Sequence, residues 1–150
     1  MIISLDLDGT LLNSNKEVPK TTIEYLKKLK DRGEIIVLNS GRSLDSVLNA
    51  TKLATFANFI IGDTGAVIYD VKDKRIIEVK GIDLYLGEEI FKLVKNQCTE
   101  FSIFTSGKTY YKYYNLQKAK EDNCIEILDY NYIVNNNVNI THMSFDLKSQ

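Results

Sequence analysis

The sequence is poor in the residues that usually announce a metal cluster or a histidine-based catalyst. Its 150 residues include one histidine, His142, and two cysteines, Cys98 and Cys124, which are far apart and outside any C-x-x-C pair. Neither a disulfide framework nor a thiolate zinc site is indicated, and both cysteines read as reduced packing residues. Nothing around His142 suggests a triad or a metal cluster, so it reads as an ordinary side chain. An excess of one charge is also lacking: 19 basic side chains face 20 acidic ones, for a net charge of −1. Without a broad basic field, no nucleic-acid partner is expected. Lys27, Lys28 and Lys30 read as the solvated face of a helix. No apolar run approaches membrane-spanning length, so no membrane partner is expected. The segment Met1–Asp6 has no basic n-region and meets an acid within a few residues, unlike a signal peptide. A cytoplasmic location is the expectation.

What remains is an ordinary globular composition, 44% hydrophobic and 26% charged, long enough for one domain or for one domain and part of another. Ile2–Leu5 is a short apolar run ending at Asp6, the pattern of a buried parallel strand. The only proline, Pro19, opens a stretch in which Ile23, Leu26 and Leu29 recur at helical spacing, which predicts a helix over Pro19–Asp31 with a stop at Gly33. Glu34–Asn39 is rich in β-branched residues and predicts a second strand. Ser43 is placed to cap a helix over Leu44–Ala54 that buries Leu44, Val47, Leu48 and Leu53. Asn58–Ile61 predicts a third strand. Strand, helix, strand, helix, strand argues for a Rossmann-like parallel sheet with right-handed crossovers.

Beyond this the pattern changes. Ala66–Tyr69 and Ile76–Val79 predict a hairpin turning near Asp73-Lys74. Further on, Leu86–Lys95 predicts a helix, Phe101–Thr105 and Thr109–Tyr114 two strands, Leu116–Glu121 a short helix, Asn135–Asn137 a loop and Ile140–Leu147 a last strand. A boundary near Gly81 separates residues 1–80 from a second α/β unit, 81–150. Tyr110, Tyr111, Tyr113 and Tyr114 read as packing or interface residues of a strand.

The chemistry is carried by Asp6-Leu7-Asp8-Gly9-Thr10-Leu11-Leu12. In a parallel sheet, ligands bind beyond the carboxyl ends of the strands. The spacing of Asp6 and Asp8 lets two carboxylates serve one site while Leu7 turns the other way. A hard cation such as Mg²⁺ prefers oxygen ligands. One carboxylate can bind it and attack phosphorus, while the other exchanges a proton with the leaving group. Gly9 keeps the bend open, and the Thr10 hydroxyl can steady the carboxylates.

This heptad, with the apolar strand before it, resembles the first motif of the haloacid dehalogenase superfamily of phosphotransferases. The resemblance implies that Asp6 is the nucleophile that becomes an aspartyl-phosphate. It implies that Asp8 is the general acid/base, that its backbone carbonyl joins Asp6 in holding Mg²⁺, and that the substrate is a small phosphorylated metabolite. Ser40-Gly41-Arg42 resembles the second motif, commonly Thr-Gly-Arg in the Cof-like branch. There, Asp8, Gly9, Thr10, Ser40, Gly41 and Arg42 would hold the phosphoryl group. Gly62-Asp63-Thr64-Gly65-Ala66 contains the Gly-Asp pair of the family's last motif. A third strand lying beyond the second would, however, place Asp63 roughly 10 Å from Asp6, too far to share one cation. The segment better resembles the Asn-Gly-Ala stretch that enters the cap, with Thr64 in the Asn position.

The region after Gly81 resembles the start of the family's α/β cap. The resemblance supplies neither the usual Lys nor the Gly-Asp-x-x-x-Asp acids, so the core reads as incomplete. Three arrangements fit: a chain cut within a longer enzyme, one half of a split enzyme that pairs with a complementing C-terminal fragment, or a relative with weak or lost activity. An unfinished sheet edge also favours a homo-oligomer. The leading expectation is a Mg²⁺-dependent phosphatase. The alternatives are a phosphomutase such as phosphomannomutase and a non-catalytic phosphate-binding or interaction module.

Overall fold

Alternating burial along Ile2–Asp6 is the first physical consequence of the sequence: Ile3 and Leu5 pack inward, and the chain then dives so that Leu7 is fully buried between exposed Asp6 and Asp8. The computed structural model describes residues 1–105, 108–111, 125–126, 130–136 and 138–147. The side chains of residues 53, 99, 100, 108–111, 125, 126 and 147 fall outside that description. The chain divides into two compact units, Met1–Val79 and Lys80–Gln150.

The first unit is a five-stranded sheet in the order β1-β2-β3-β4-β5, built from Ile2–Asp6, Ile35–Asn39, Phe59–Gly62, Val67–Asp70 and Arg75–Val79. β1, β2 and β3 run parallel, and residues Ile2 to Asp6 pair in register with Ile35 to Asn39. The Rossmann-like α/β class read from the sequence is the class observed. The hairpin adds a feature that the alternation alone did not give: β4 pairs antiparallel to β3, so the sheet is mixed. The hairpin turn is tied by Asp70, whose Oδ1 accepts the N–H groups of Lys72 and Asp73. The core between sheet and helices is made by Leu7, Leu26, Leu29, Ile36, Leu38, Val47, Phe56 and Ile60. Fully burying each large aliphatic or aromatic side chain of this kind stabilises the fold by roughly 1.5–3 kcal/mol.

Helix α1 is Lys20–Asp31, with Pro19 just outside it in an extended conformation. The predicted start is therefore one residue early. Gly33, at φ 88°, supplies the left-handed turn that leads into β2. Lys30 reaches across to the carbonyls of Thr55 and Ala57 at 3.2 and 2.6 Å, fixing the loop before β3. Helix α2 is Leu44–Ala50, four residues shorter than predicted. Ser43 caps it through Oγ, which accepts the Ser46 N–H at 3.4 Å. The helix stops where Lys52 and Ala54 take positive φ and wind a separate tight turn, while the Thr51 hydroxyl donates back to the Val47 carbonyl at 2.7 Å. Leu44 and Val47 are buried and Leu48 half-buried, as expected; the side chain of Leu53 lies outside the described residues.

The second unit holds a four-stranded sheet in the order β8-β7-β6-β9, from Ile125–Glu126, Lys108–Tyr111, Cys98–Thr105 and Ile140–Leu147. β6 starts three residues before the predicted strand because the whole of Cys98–Thr105 pairs with β9. Helix α3, Leu84–Val94, starts two residues before the predicted one because Asp83 caps it, accepting the N–H groups of Tyr85 and Leu86. The short helix α4, Asn131–Asn135, and the two-residue strand β8 were not predicted; both are too short to carry a periodic signal. The predicted helix Leu116–Glu121, Tyr113, Tyr114, Cys124 and Asn137 lie outside the described residues. Cys98 is buried and reduced, and His142 stacks on Phe104 with ring centroids 3.9 Å apart.

Phe91 packs edge-on against Phe101 and tilted against Tyr130, joining α3, β6 and the start of α4. The Tyr130 hydroxyl donates to the Leu84 carbonyl at 2.9 Å, and burial, aided by Glu88 and Asp83, pushes the phenol up to about 12. This packing needs a glycine at 87, where a Cβ would overlap the Tyr130 hydroxyl and crowd Ile140. Gly87→Ala is expected to destabilise this unit by about 1–3 kcal/mol, the usual effect of overpacking. A thermal melt followed by near-ultraviolet circular dichroism checks it, and an unchanged midpoint would contradict the packing described.

Candidate active site

The site is built where β1 and β2 end side by side. Their register sets Asp6 opposite Asn39, so Ser40 is the first residue beyond the end of the neighbouring strand, about one strand spacing, roughly 4.8 Å, from the β1 terminus. After Asp6 the chain makes one wide turn, Leu7–Leu11, closed by the Leu12 N–H donating to the Leu7 carbonyl at 2.9 Å. Gly9 sits in this turn at φ 75°, in the left-handed region that favours glycine. Leu7, Leu11 and Leu12 are buried, which anchors the turn and leaves Asp6, Asp8, Gly9 and Thr10 on the outer side.

Each carboxylate has a different partner. The Thr10 hydroxyl donates to Asp6 Oδ2 at 3.3 Å, the steadying role expected of that residue. Asp8 is gripped by Arg42, whose Nε and Nη2 donate to Oδ2 and Oδ1 at 2.7 and 2.6 Å. This two-pronged bond is the strong geometry of a guanidinium on a carboxylate. Lys16 brings a second cation, its Nζ 3.5 Å from Asp8 Oδ1. Ser40 is buried, and its Oγ accepts the Arg42 N–H at 3.2 Å, a bond that does not use the hydroxyl proton. Ser40, Arg42 and Asp8 thus form one connected chain across the two strand ends.

The loop after β2 is held from the β3 side. Asp63 is fully buried, its Oδ2 accepts the Leu44 N–H at 3.1 Å, and its own N–H donates to the Arg42 carbonyl at 2.7 Å. Thr64 donates to the Gly41 carbonyl at 3.4 Å. Asp63 and Thr64 take φ of 51° and 57°, a conformation uncommon for residues other than glycine, which the surrounding bonds hold in place. Asp63 follows a strand that lies beyond β2 from β1, and its carboxylate is spent on positioning the Ser40–Leu44 loop.

The expected residues Asp6, Asp8, Gly9, Thr10, Ser40, Gly41 and Arg42 therefore gather at neighbouring strand ends, with Arg42 on Asp8. Lys16 was missed by the sequence reading. The available signal was local: Asn13-Ser14-Asn15 is a turn-forming string placed directly after the motif. Among the described residues, no group of three or more His, Cys, Asp or Glu side chains is gathered as a metal site. The carboxylates at the end of β1 could serve as oxygen donors to a hard cation.

The Arg42 guanidinium, with Lys16 beyond it, holds the Asp8 carboxyl below the usual carboxylate range, against a smaller opposing effect of burial; Asp8 in turn raises Arg42. A carboxyl depressed in the folded state contributes stability above its unfolded pKa, and this is lost as pH falls through the folded value. In a ¹³C titration of the side-chain carboxyls, Asp8 is expected to titrate below the usual aspartate range and to rise toward it in Arg42→Gln. An Asp8 midpoint unmoved by the substitution would contradict the fork.

Comparison with known proteins identifies the family. The family model for a haloacid dehalogenase-like hydrolase matches residues 3–149. MG265 of Mycoplasma genitalium is 32% identical over 139 residues, covering 89% of this chain and 50% of that protein. The phosphatase YwpJ of Bacillus subtilis is 28% identical over 109 residues, 73% of this chain and 38% of that protein. Among solved structures, TM0651 of Thermotoga maritima superposes with a TM-score of 0.73 at 22% identity, covering 96% of this chain and 55% of its own. The chain thus spans about half or less of the length of the curated relatives it matches. With the first-motif heptad at the end of β1, Ser40-Gly41-Arg42 at the end of β2 and the family model running almost from end to end, the chain belongs to the haloacid dehalogenase-like hydrolases, in their Cof-like branch.

Proposed function

We propose that this chain carries the nucleophile and phosphoryl-binding half of a Mg²⁺-dependent phosphatase that acts on small phosphorylated metabolites through an aspartyl-phosphate. The observation that carries the reading is the connected set at the β1 and β2 ends, in which Asp6 stands beside Thr10 while Asp8, Arg42 and Ser40 are bonded in sequence. Relatives named as phosphatases, such as YwpJ, support the reaction class.

Asp6 is the nucleophile in this reading. It is exposed, and its one described side-chain bond is a long one from Thr10, so an oxygen is available to attack phosphorus. Ser40 donates its hydroxyl proton to a phosphoryl oxygen. Arg42 has a fork that fits phosphate as well as carboxylate. When a phosphate ester enters, it competes with Asp8 for that fork. The exchange frees Asp8 from the cation that keeps it ionised, so Asp8 can take up a proton from solvent, hand it to the leaving oxygen and later take one from the attacking water. Mg²⁺ suits the donors present, since such a cation keeps several waters and uses one or two carboxylates together with phosphate oxygens. Asp6 and the backbone carbonyl of Asp8 would hold it, and when bound it neutralises charge on the transferring group.

With Mg²⁺ and p-nitrophenyl phosphate, the protein complemented by a C-terminal segment that supplies the Lys and the Gly-Asp-x-x-x-Asp acids is expected to release phosphate, and Asp6→Asn to lower the rate by on the order of 10³-fold or more. Equal rates for a folded Asp6→Asn protein, or no dependence on the cation, would overturn the proposal.

A further inference from the structure

Among the described residues, Lys16 is the one cation at the site that neither the family motifs nor the phosphoryl chemistry above employs. Its position is built rather than incidental. Asn13 organises a tight turn: its Oδ1 accepts the N–H groups of Asn15 and Glu17 at 2.9 and 3.1 Å, its carbonyl accepts the Lys16 N–H at 2.9 Å, and its own N–H donates to the Glu17 carbonyl at 2.9 Å. Within this frame Lys16 takes φ 61°, a left-handed conformation uncommon for a side chain of its size. Lys52, in the tight turn that follows α2, lies 3.8 Å from Glu17 as an exposed ion pair.

Around Asp8 itself, two cations meet one carboxylate. Arg42 already meets Asp8 with two short bonds, and Lys16 approaches only Oδ1, at the longer distance of 3.5 Å. Asp8, Arg42 and Lys16 together carry one net positive charge. Lys16 is also the exposed member, with 69% of its side chain accessible against 27% for Arg42. Its ammonium can therefore turn from Asp8 to an incoming group without leaving a buried charge behind.

We propose that Lys16 is a specificity-determining residue that reads the leaving group, favouring phosphomonoesters whose alcohol carries a second anionic group one or two carbons from the ester oxygen. The inference rests on the phosphatase reading, in which the leaving oxygen lies at Asp8. A carboxylate or second phosphate that close to the ester oxygen falls within reach of the ammonium beside Asp8.

A matched pair of non-hydrolysable ligands tests it: 3-phosphonopropionate, which carries the extra carboxylate, and propylphosphonate, which lacks it. Calorimetric titration with Mg²⁺ present is expected to give a Kd about three- to fivefold lower for 3-phosphonopropionate, the scale of one exposed ion pair. That ratio should fall toward one in Lys16→Gln, persist in Lys16→Arg, and shrink with added salt. Equal affinities in the wild type, or a ratio that survives Lys16→Gln, would overturn the role of Lys16 while leaving phosphate binding intact. Failure of both phosphonates to bind would overturn this inference and the phosphatase reading together.

Discussion

The parallel pairing of β1 with β2 is the constraint on which the site depends. Register is strict because a one-residue slip would turn Ile36 and Leu38 out of the core and bring Ile35 and Val37 in. The same register sets Asp6 against Asn39, so two separate loops, one bearing Asp8 and the other Ser40 and Arg42, leave the sheet at one edge. Apolar burial thus fixes the placement of polar groups that do little for stability themselves. Leu7 is the clearest case: its complete burial holds the chain between two exposed carboxylates and makes their separation a property of the backbone.

Electrostatics then gives the two acids unlike surroundings. Asp6 receives a neutral hydroxyl, while Asp8 receives a guanidinium and has an ammonium nearby. The fork on Asp8 binds a carboxylate with the geometry that would bind a phosphate, so one arginine can serve two partners in turn. Asp63 shows how the neighbouring strand contributes without approaching the chemistry. Its buried carboxylate caps the backbone at Leu44, and its N–H holds the Arg42 carbonyl, which fixes the loop from which the guanidinium extends.

Much of this was legible in the sequence where a periodic or turn signal was strong. The strand before Asp6, the helix after Pro19, the strand over Ile35–Asn39 and the cap at Ser43 follow from apolar spacing, proline placement and capping chemistry. The heptad at the end of β1 and Ser40-Gly41-Arg42 were legible because strand-end position and residue type agree. Side-chain partnership was not. Nothing in the spacing of residues 8, 16 and 42 says that a guanidinium and an ammonium meet one carboxylate, since that depends on how the loops fold back. The shortening of α2 was equally hidden, because Lys52 and Ala54 are acceptable helix residues and nothing in their type announces a positive φ. Membership of the β4–β5 hairpin in the first sheet needed the tertiary pairing of β3 with β4.

The central claim is that Asp6, not Asp8, is the atom-bearing group that meets phosphorus. Acyl phosphates of aspartate are reduced by borohydride to homoserine, which marks the site permanently. After incubation with Mg²⁺ and acetyl phosphate, borohydride treatment and peptide mass spectrometry are predicted to find homoserine at position 6. Homoserine at position 8, or an unmodified motif peptide from folded protein, would contradict the account.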